Sequence, residues 1–193
     1  MFVDQPEMTE QLHTLREAVR SSEGFYMHWV QLWGWIPDIE DMFRQTRAKL
    51  SSTTTLSPRE RAVIICATVS KFGDSYCSLA WGKELAALCD SPTTAALIAT
   101  GDATALTPRE RALAHWAQRV VANPSTTTRG DVDALRAAGL TQREIVEATA
   151  LVAFRVAFAM VNDALGAQPD RELAELTPPE VRSAVTFGRP VGD

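Results

Sequence analysis

The residues with most chemical promise stand together in KFGDSYCSLAWGKEL, which begins at Lys71. Gly73 has the character of a helix-ending glycine, and Asp74 is placed to cap the helix that follows. Cys77 then falls in the first turn, near unpaired N–H groups and the positive end of the helix dipole. A thiol there tends toward a lowered pKa and greater thiolate character. Asp74 and Cys77 are neighbours at i,i+3, Cys77 and Trp81 are neighbours at i,i+4, and Tyr76 lies within the same two turns. The reading makes Asp74 and Cys77 candidate catalytic groups, with Tyr76 and Trp81 against a substrate. Each residue also has a plain structural alternative: a small buried thiol, a simple N-cap, or aromatic core packing. Cys66, inside AVIICATV, reads as core, and Cys89 ends a helix where the dipole opposes a thiolate.

Two residues elsewhere could complete a site. Arg155 stands alone in ATALVAFRVAFAM, and a buried guanidinium must find an anion or bear a heavy desolvation cost. It therefore forms a structural ion pair, in this chain or the next, or it anchors a substrate carboxylate through paired hydrogen bonds. His115, mid-helix in RALAHWAQR, is structural unless it faces the Cys77 pocket, where it could exchange protons. His13 and His28 fall in no motif. No metal-ligand spacing, phosphate loop or nucleotide fingerprint is present, so the reading assigns no metal and no cofactor.

The elements that must position these groups announce themselves by their starts. LSPRERAVIICA begins at Leu56, and LTPRERALAHWA follows 50 residues later at Leu106. Weaker copies open at Leu140 (LTQREIVEA) and Leu176 (LTPPEVRSA). Ser57, Thr107, Thr141 and Thr177 are expected N-caps, with Glu60, Glu110, Glu144 and Glu180 closing capping boxes three positions later. Pro58, Pro108 and Pro178 occupy the first helical position, where a missing N–H costs nothing. The periodicity between caps is helical throughout. It predicts helices over 9–22, from Pro37 on, and over 57–72, 74–88, 91–100, 107–121, 128–138 and 141–165. After Gln168 at most one short helix is expected, followed by a frayed RPVGD.

The fold class is therefore all-α, a single-domain bundle of about eight to nine helices. A helical segment over 1–33 precedes a core over 34–170 and a tail over 171–193. The chain of 193 residues carries a net charge of −5 and no Lys/Arg-rich run, which argues against nucleic acid and anionic membranes as partners. The start, MFVDQPEMTEQLH, lacks the apolar stretch of a signal peptide, and Ala148–Met160 is too short to span a bilayer. A cytoplasmic location follows. Trp29, Trp33 and Trp35 crowd one segment, as an aromatic patch between subunits or as the wall of an apolar ligand site. The helix over 141–165 is apolar on more than one face, and with the Trp-rich segment it predicts a homo-oligomer.

Several stretches together resemble the AhpD-like and carboxymuconolactone decarboxylase superfamily, in its peroxidase-related branch. They are GWIPDIEDMF, LSPRERAVIICATVSKFGDSYCSLAWGKELA, LTPRERALAHWAQRVV, DVDALRAAGLTQREIVEATALVAF and NDALGAQPD, spread over roughly 34–170. The resemblance implies a helical homo-oligomer whose reactive site lies on the central helical pair. Redox members of that family carry Glu, eleven residues, CxxC, three residues and His. On this chain those positions hold Ala62, Asp74, Cys77 and Trp81, so the disulfide-cycling motif is degenerate. A mixed disulfide needs a second thiol to resolve it, which Asp74 cannot supply.

Three functions remain open on this reading. The first is a cofactor-free enzyme, a lyase or isomerase, on a small organic acid, lactone or related metabolite. The second is a single-cysteine hydroperoxide reductase working through a sulfenic acid at Cys77. The third is a non-catalytic binding or assembly protein.

Overall fold

The capping signals become helix starts in the computed structural model, which describes residues 1–192. Among those residues there are eleven α-helices and no strand. They are α1 (Glu10–Glu23), α2 (Trp29–Trp33), α3 (Pro37–Thr53), α4 (Pro58–Phe72), α5 (Ser75–Leu88) and α6 (Ser91–Thr100). Then follow α7 (Pro108–Ala122), α8 (Arg129–Ala137), α9 (Gln142–Ala164), α10 (Arg171–Leu176) and α11 (Pro179–Ala184). Ser57, Thr107 and Thr141 each accept the N–H three residues on, and Glu60, Glu110 and Glu144 close the boxes. The fourth expected box is absent. Thr177 is buried at the end of α10 and turns its hydroxyl back to the Leu173 carbonyl, so Pro178 becomes the N-cap, without a side-chain bond, and Pro179 takes the first helical position of α11.

The 50-residue echo has a packing reason. Helices α4 and α7 lie side by side, and their capping boxes exchange partners. Arg59 of the first copy pairs with Glu110 of the second at 2.6 Å, and Arg109 pairs with Glu60 at 2.6 Å. Arg109 also reaches Glu144 at 2.7 Å, tying in the start of α9. Each copy's other arginine folds back on its own loop, Arg61 to the Leu56 carbonyl and Arg111 to that of Leu106. The repeat thus clamps three helix N-termini at one end of the bundle.

Helix α4 runs through the centre, with Val63, Ile64, Ile65, Cys66, Ala67 and Val69 all fully enclosed by α5, α6, α7 and α9. Burying each large aliphatic side chain contributes roughly 1.5–3 kcal/mol. Gly73 ends α4 at φ +91°, a left-handed conformation that side chains resist, and so reverses the chain directly into α5. Gly82 lets α5 approach its neighbours, since a Cβ there would meet Val181 at 2.6 Å and Ile98 at 2.9 Å.

The periphery departs from expectation in three ways. A short α2 forms within the Trp-rich segment, and the tail holds two short helices instead of one. The end of the chain is docked, not frayed. Arg189 donates to the Asp163 carbonyl at 2.6 Å, Ser75 donates to the Arg189 carbonyl at 2.7 Å, and the Gly192 N–H donates to Pro169. Residue 193, the last of the expected tail, lies outside the described residues. Helix α9 is not enclosed all round. Ile145, Ala148, Leu151, Val152 and Phe158 face the core, whereas Val146 (67% exposed) and Met160 (54%) look outward.

Candidate functional site around Arg155 and Cys77

The start of α5 is built as its sequence requires. Asp74 caps the helix, and its Oδ1 accepts the Cys77 N–H at 3.1 Å. Its Oδ2 is buried without a hydrogen-bond partner. Burial pushes the Asp74 carboxyl up, against the pull of the Cys77 hydrogen bonds and the Arg155 charge. Cys77 is enclosed, and its thiol moves opposite to what its helix position suggests. Burial first, and the Asp74 carboxylate second, push it well above the ordinary range, outweighing the Arg155 guanidinium. The helix dipole favours a thiolate only by about 1 kcal/mol, whereas burying an unpaired charge costs far more. Cys66 is likewise enclosed and raised, and Cys89 is half-buried with its thiol on the Leu85 carbonyl.

Arg155 joins the cluster from α9. It is only 8% exposed, and its Nη1 lies 3.9 Å from Cys77 Sγ. Its guanidinium sits 5.1 Å from the ring centre of Trp81 and 5.6 Å from that of Phe158. Among the described residues no carboxylate lies within ion-pair distance of it, and its Nε has no partner. Trp81 and Arg155 form part of the wall of a cleft of about 340 Å³ that also takes in Trp29, Ile65, Arg47 and Leu151. Cys77 lies immediately behind that wall.

The other sequence-derived candidates go elsewhere. Tyr76 is buried and donates its hydroxyl to Asp170. Asp170 also accepts the His28 N–H at 2.8 Å and lies 3.2 Å from the His28 ring. Asp170 thus ties the loop before α10 both to Tyr76 of α5 and to the loop before α2, and Tyr76 does not line the cleft. His115 is exposed on α7 and lines a separate groove with Trp116, Arg119 and Asp131, so it is not part of the Cys77 site. The Trp-rich segment divides. Trp33 stacks on Phe158 at 5.3 Å and donates its indole N–H to Asn162, while Trp29 meets the edge of Phe158. Trp35 is 55% exposed, beside exposed Ile36, Ile39 and Met42.

Sequence reasoning missed Glu40 and Arg47, which α3 contributes to the cleft. Glu40 is fully buried, 3.3 Å from Arg47 and 3.6 Å from Arg44. Burial and the neighbouring Arg155 charge bring Arg47 down to about 10. Both sit in PDIEDMFRQTR, where charges at 38, 40, 41, 44 and 47 read as solvated residues of an exposed helix.

No family model matches the chain, and no curated protein matches it. Solved structures do. An uncharacterized peroxidase-related protein with the alkylhydroperoxidase AhpD core, from Ralstonia eutropha JMP134, superposes with a TM-score of 0.79 at 22% identity, covering 89% of this chain and 93% of that one. The chain has the AhpD-like fold. An uncharacterized peroxidase-related protein from Silicibacter sp. TM1040 is similar too, with a TM-score of 0.78 at 20% identity over 89% of this chain and 93% of that one. The debrominase Bmp8 shares the AhpD-like fold with a TM-score of 0.73 at 15% identity, over 91% of this chain and 92% of that one. A cysteine-to-alanine variant of Bmp8 has been solved with 2,3,4-tribromopyrrole. No described helix is long and apolar enough to cross a membrane.

Proposed function

We propose that this protein is a cofactor-free enzyme of the carboxymuconolactone decarboxylase-like kind, a lyase or isomerase acting on a small organic acid, lactone or related metabolite. The observation that carries the reading is Arg155. A buried guanidinium with no carboxylate partner, on the wall of a cleft beside Asp74 and Cys77, is suited to an anionic group brought by a substrate. Asp74, whose carboxyl burial raises, stands behind Cys77 as the group proposed to exchange a proton. Bmp8, of the same fold, is a debrominase, and its variant holds a small aromatic molecule; a small-molecule substrate here accords with that.

The hydroperoxide-reductase alternative loses support, because burial keeps Cys77 as a thiol. The enclosure of Cys77 favours a non-catalytic binder as the second reading. Incubating the protein with candidate organic acids and lactones and following them by mass spectrometry separates the two. The enzyme reading expects turnover that Arg155→Met abolishes, whereas binding without turnover supports the second.

We further propose a homo-oligomer. Val146, Ala150, Ala153, Ala157 and Met160 form a largely exposed apolar seam along α9 with alternating spacings of four and three residues, which suits pairing with a second copy. The unpaired thiols accord with a cytoplasmic, reducing setting.

A further inference from the structure

Two guanidinium groups face the same cleft, and they repel one another. Arg47 comes from α3 and Arg155 from α9, and both lie on the Phe158 ring, at 4.9 Å and 5.6 Å from its centre. Their repulsion contributes to the lowering of Arg47. The buried carboxylate that answers them is Glu40, which already serves Arg47 and the half-exposed Arg44. Asp74 acts on Arg155 only from beyond ion-pair distance, behind Cys77. Of the other charged residues on the wall, Glu23 is met by Lys83 and Arg44 by Asp41, so Arg47, Arg155 and Glu40 together leave one positive charge unanswered in the cleft. The neighbouring cleft between α1 and α3 carries Glu10, Asp38 and Asp41 and is acidic, so this excess is local.

We infer that the cleft binds a planar aromatic monocarboxylate, whose carboxylate bridges Arg47 and Arg155 and whose ring lies against Trp29 and Trp81. The inference rests on the organic-acid reading above and adds the ligand class and the role of Arg47. A bridging anion relieves the repulsion between the guanidiniums and gives an acceptor to the guanidinium of Arg155, whose Nε has no partner. A single unanswered charge selects a monoanion over a dianion. Trp29 and Trp81 both line the wall, and flat indoles pack against a planar ring better than against a puckered aliphatic body.

Isothermal titration of the full chain with benzoate, cyclohexanecarboxylate, benzamide and acetate tests this. The expected result is saturable benzoate binding, with benzamide and acetate weaker by at least about tenfold and cyclohexanecarboxylate weaker by about threefold. Arg47→Gln and Arg155→Gln should each weaken benzoate by about tenfold. Equal binding of benzoate and cyclohexanecarboxylate overturns the aromatic class while leaving the organic-acid reading intact. Benzamide binding as tightly as benzoate overturns both. An unchanged affinity in Arg47→Gln overturns the bridge. Tryptophan emission of the unmodified protein gives an arm independent of folding in the variants. Benzoate should perturb Trp29 and Trp81, and no saturable change up to about 10 mM refutes the inference.

Discussion

Replacing Arg155 by methionine should leave the free protein at least as stable as before, although the residue is 8% exposed and sits among core side chains. Methionine keeps the unbranched apolar stem, and because Arg155 stands on the wall of an open cleft the shorter side chain leaves little enclosed cavity. The variant loses the ring contacts with Trp81 and Phe158, about 1–2 kcal/mol together, and a longer-range attraction to Asp74. It also no longer buries a cation that lacks a carboxylate, an effective penalty of several kcal/mol in proteins. The second effect wins, and the net change should fall between about 0 and 2 kcal/mol of added stability. Urea unfolding reads this as a higher midpoint at unchanged slope, and a thermal melt as a rise of roughly 2–4 °C per kcal/mol for a domain of this size. A structural ion pair behaves in the opposite way, because removing one partner strands the other charge and costs about 3–5 kcal/mol. A loss of that size in Arg155→Met would refute the claim that Arg155 is kept for a ligand.

Three other outcomes follow from the geometry. Cys77 should resist alkylation at pH 8 in the folded protein while half-buried Cys89 reacts, because burial and Asp74 raise the Cys77 thiol; peptide mapping that finds Cys77 labelled first contradicts this. Arg109→Ala should cost about 3 kcal/mol, since it strips both Glu60 and Glu144 of their cation. Against burial, Thr141 and Thr55 first and Arg109 after them hold Glu144 down to about 2, so its contribution is complete above its ordinary value of 4.5 and fades as pH falls toward 2; the variant, without the Arg109 share, should unfold at somewhat higher pH on acid titration. Asp163→Asn should stabilise the protein by about 1 kcal/mol at pH 7. Burial and Asp74 raise Asp163 to about 6, so the wild type loses stability as pH climbs from 3.8 through 6, and the benefit of Asn should vanish at pH 3.5, read by the same urea midpoints.

Helix existence was legible in the sequence because the caps are chemical signals: Ser57, Thr107 and Thr141 with their glutamates admit little else. The same letters at Thr177 misled, because its hydroxyl found the Leu173 carbonyl of the preceding helix, a tertiary circumstance that spacing does not encode. The pairing of Asp74 with Cys77, and Trp81 beside them, could be read from the first two turns of one helix. The approach of Arg155 to that turn was anticipated only as an anion seeker without an address. Arg47 and Glu40 were illegible, since α3 carries charges all round and only its packing decides which of them turn inward. Tyr76 and His115 show the converse limit. Sequence neighbourhood placed the first in the site, and chemical type placed the second, but hydrogen bonding to Asp170 and outward orientation on α7 remove them.

If the Arg155 guanidinium is kept for an organic anion, a crystal structure of the protein grown with benzoate will show the contact itself. Density is expected for the carboxylate in contact with both Arg47 and Arg155, with the ring against Trp81 and no protein carboxylate on Arg155. Arg155 paired instead with an Asp or Glu of an adjoining subunit, and the cleft closed by that contact, would contradict it.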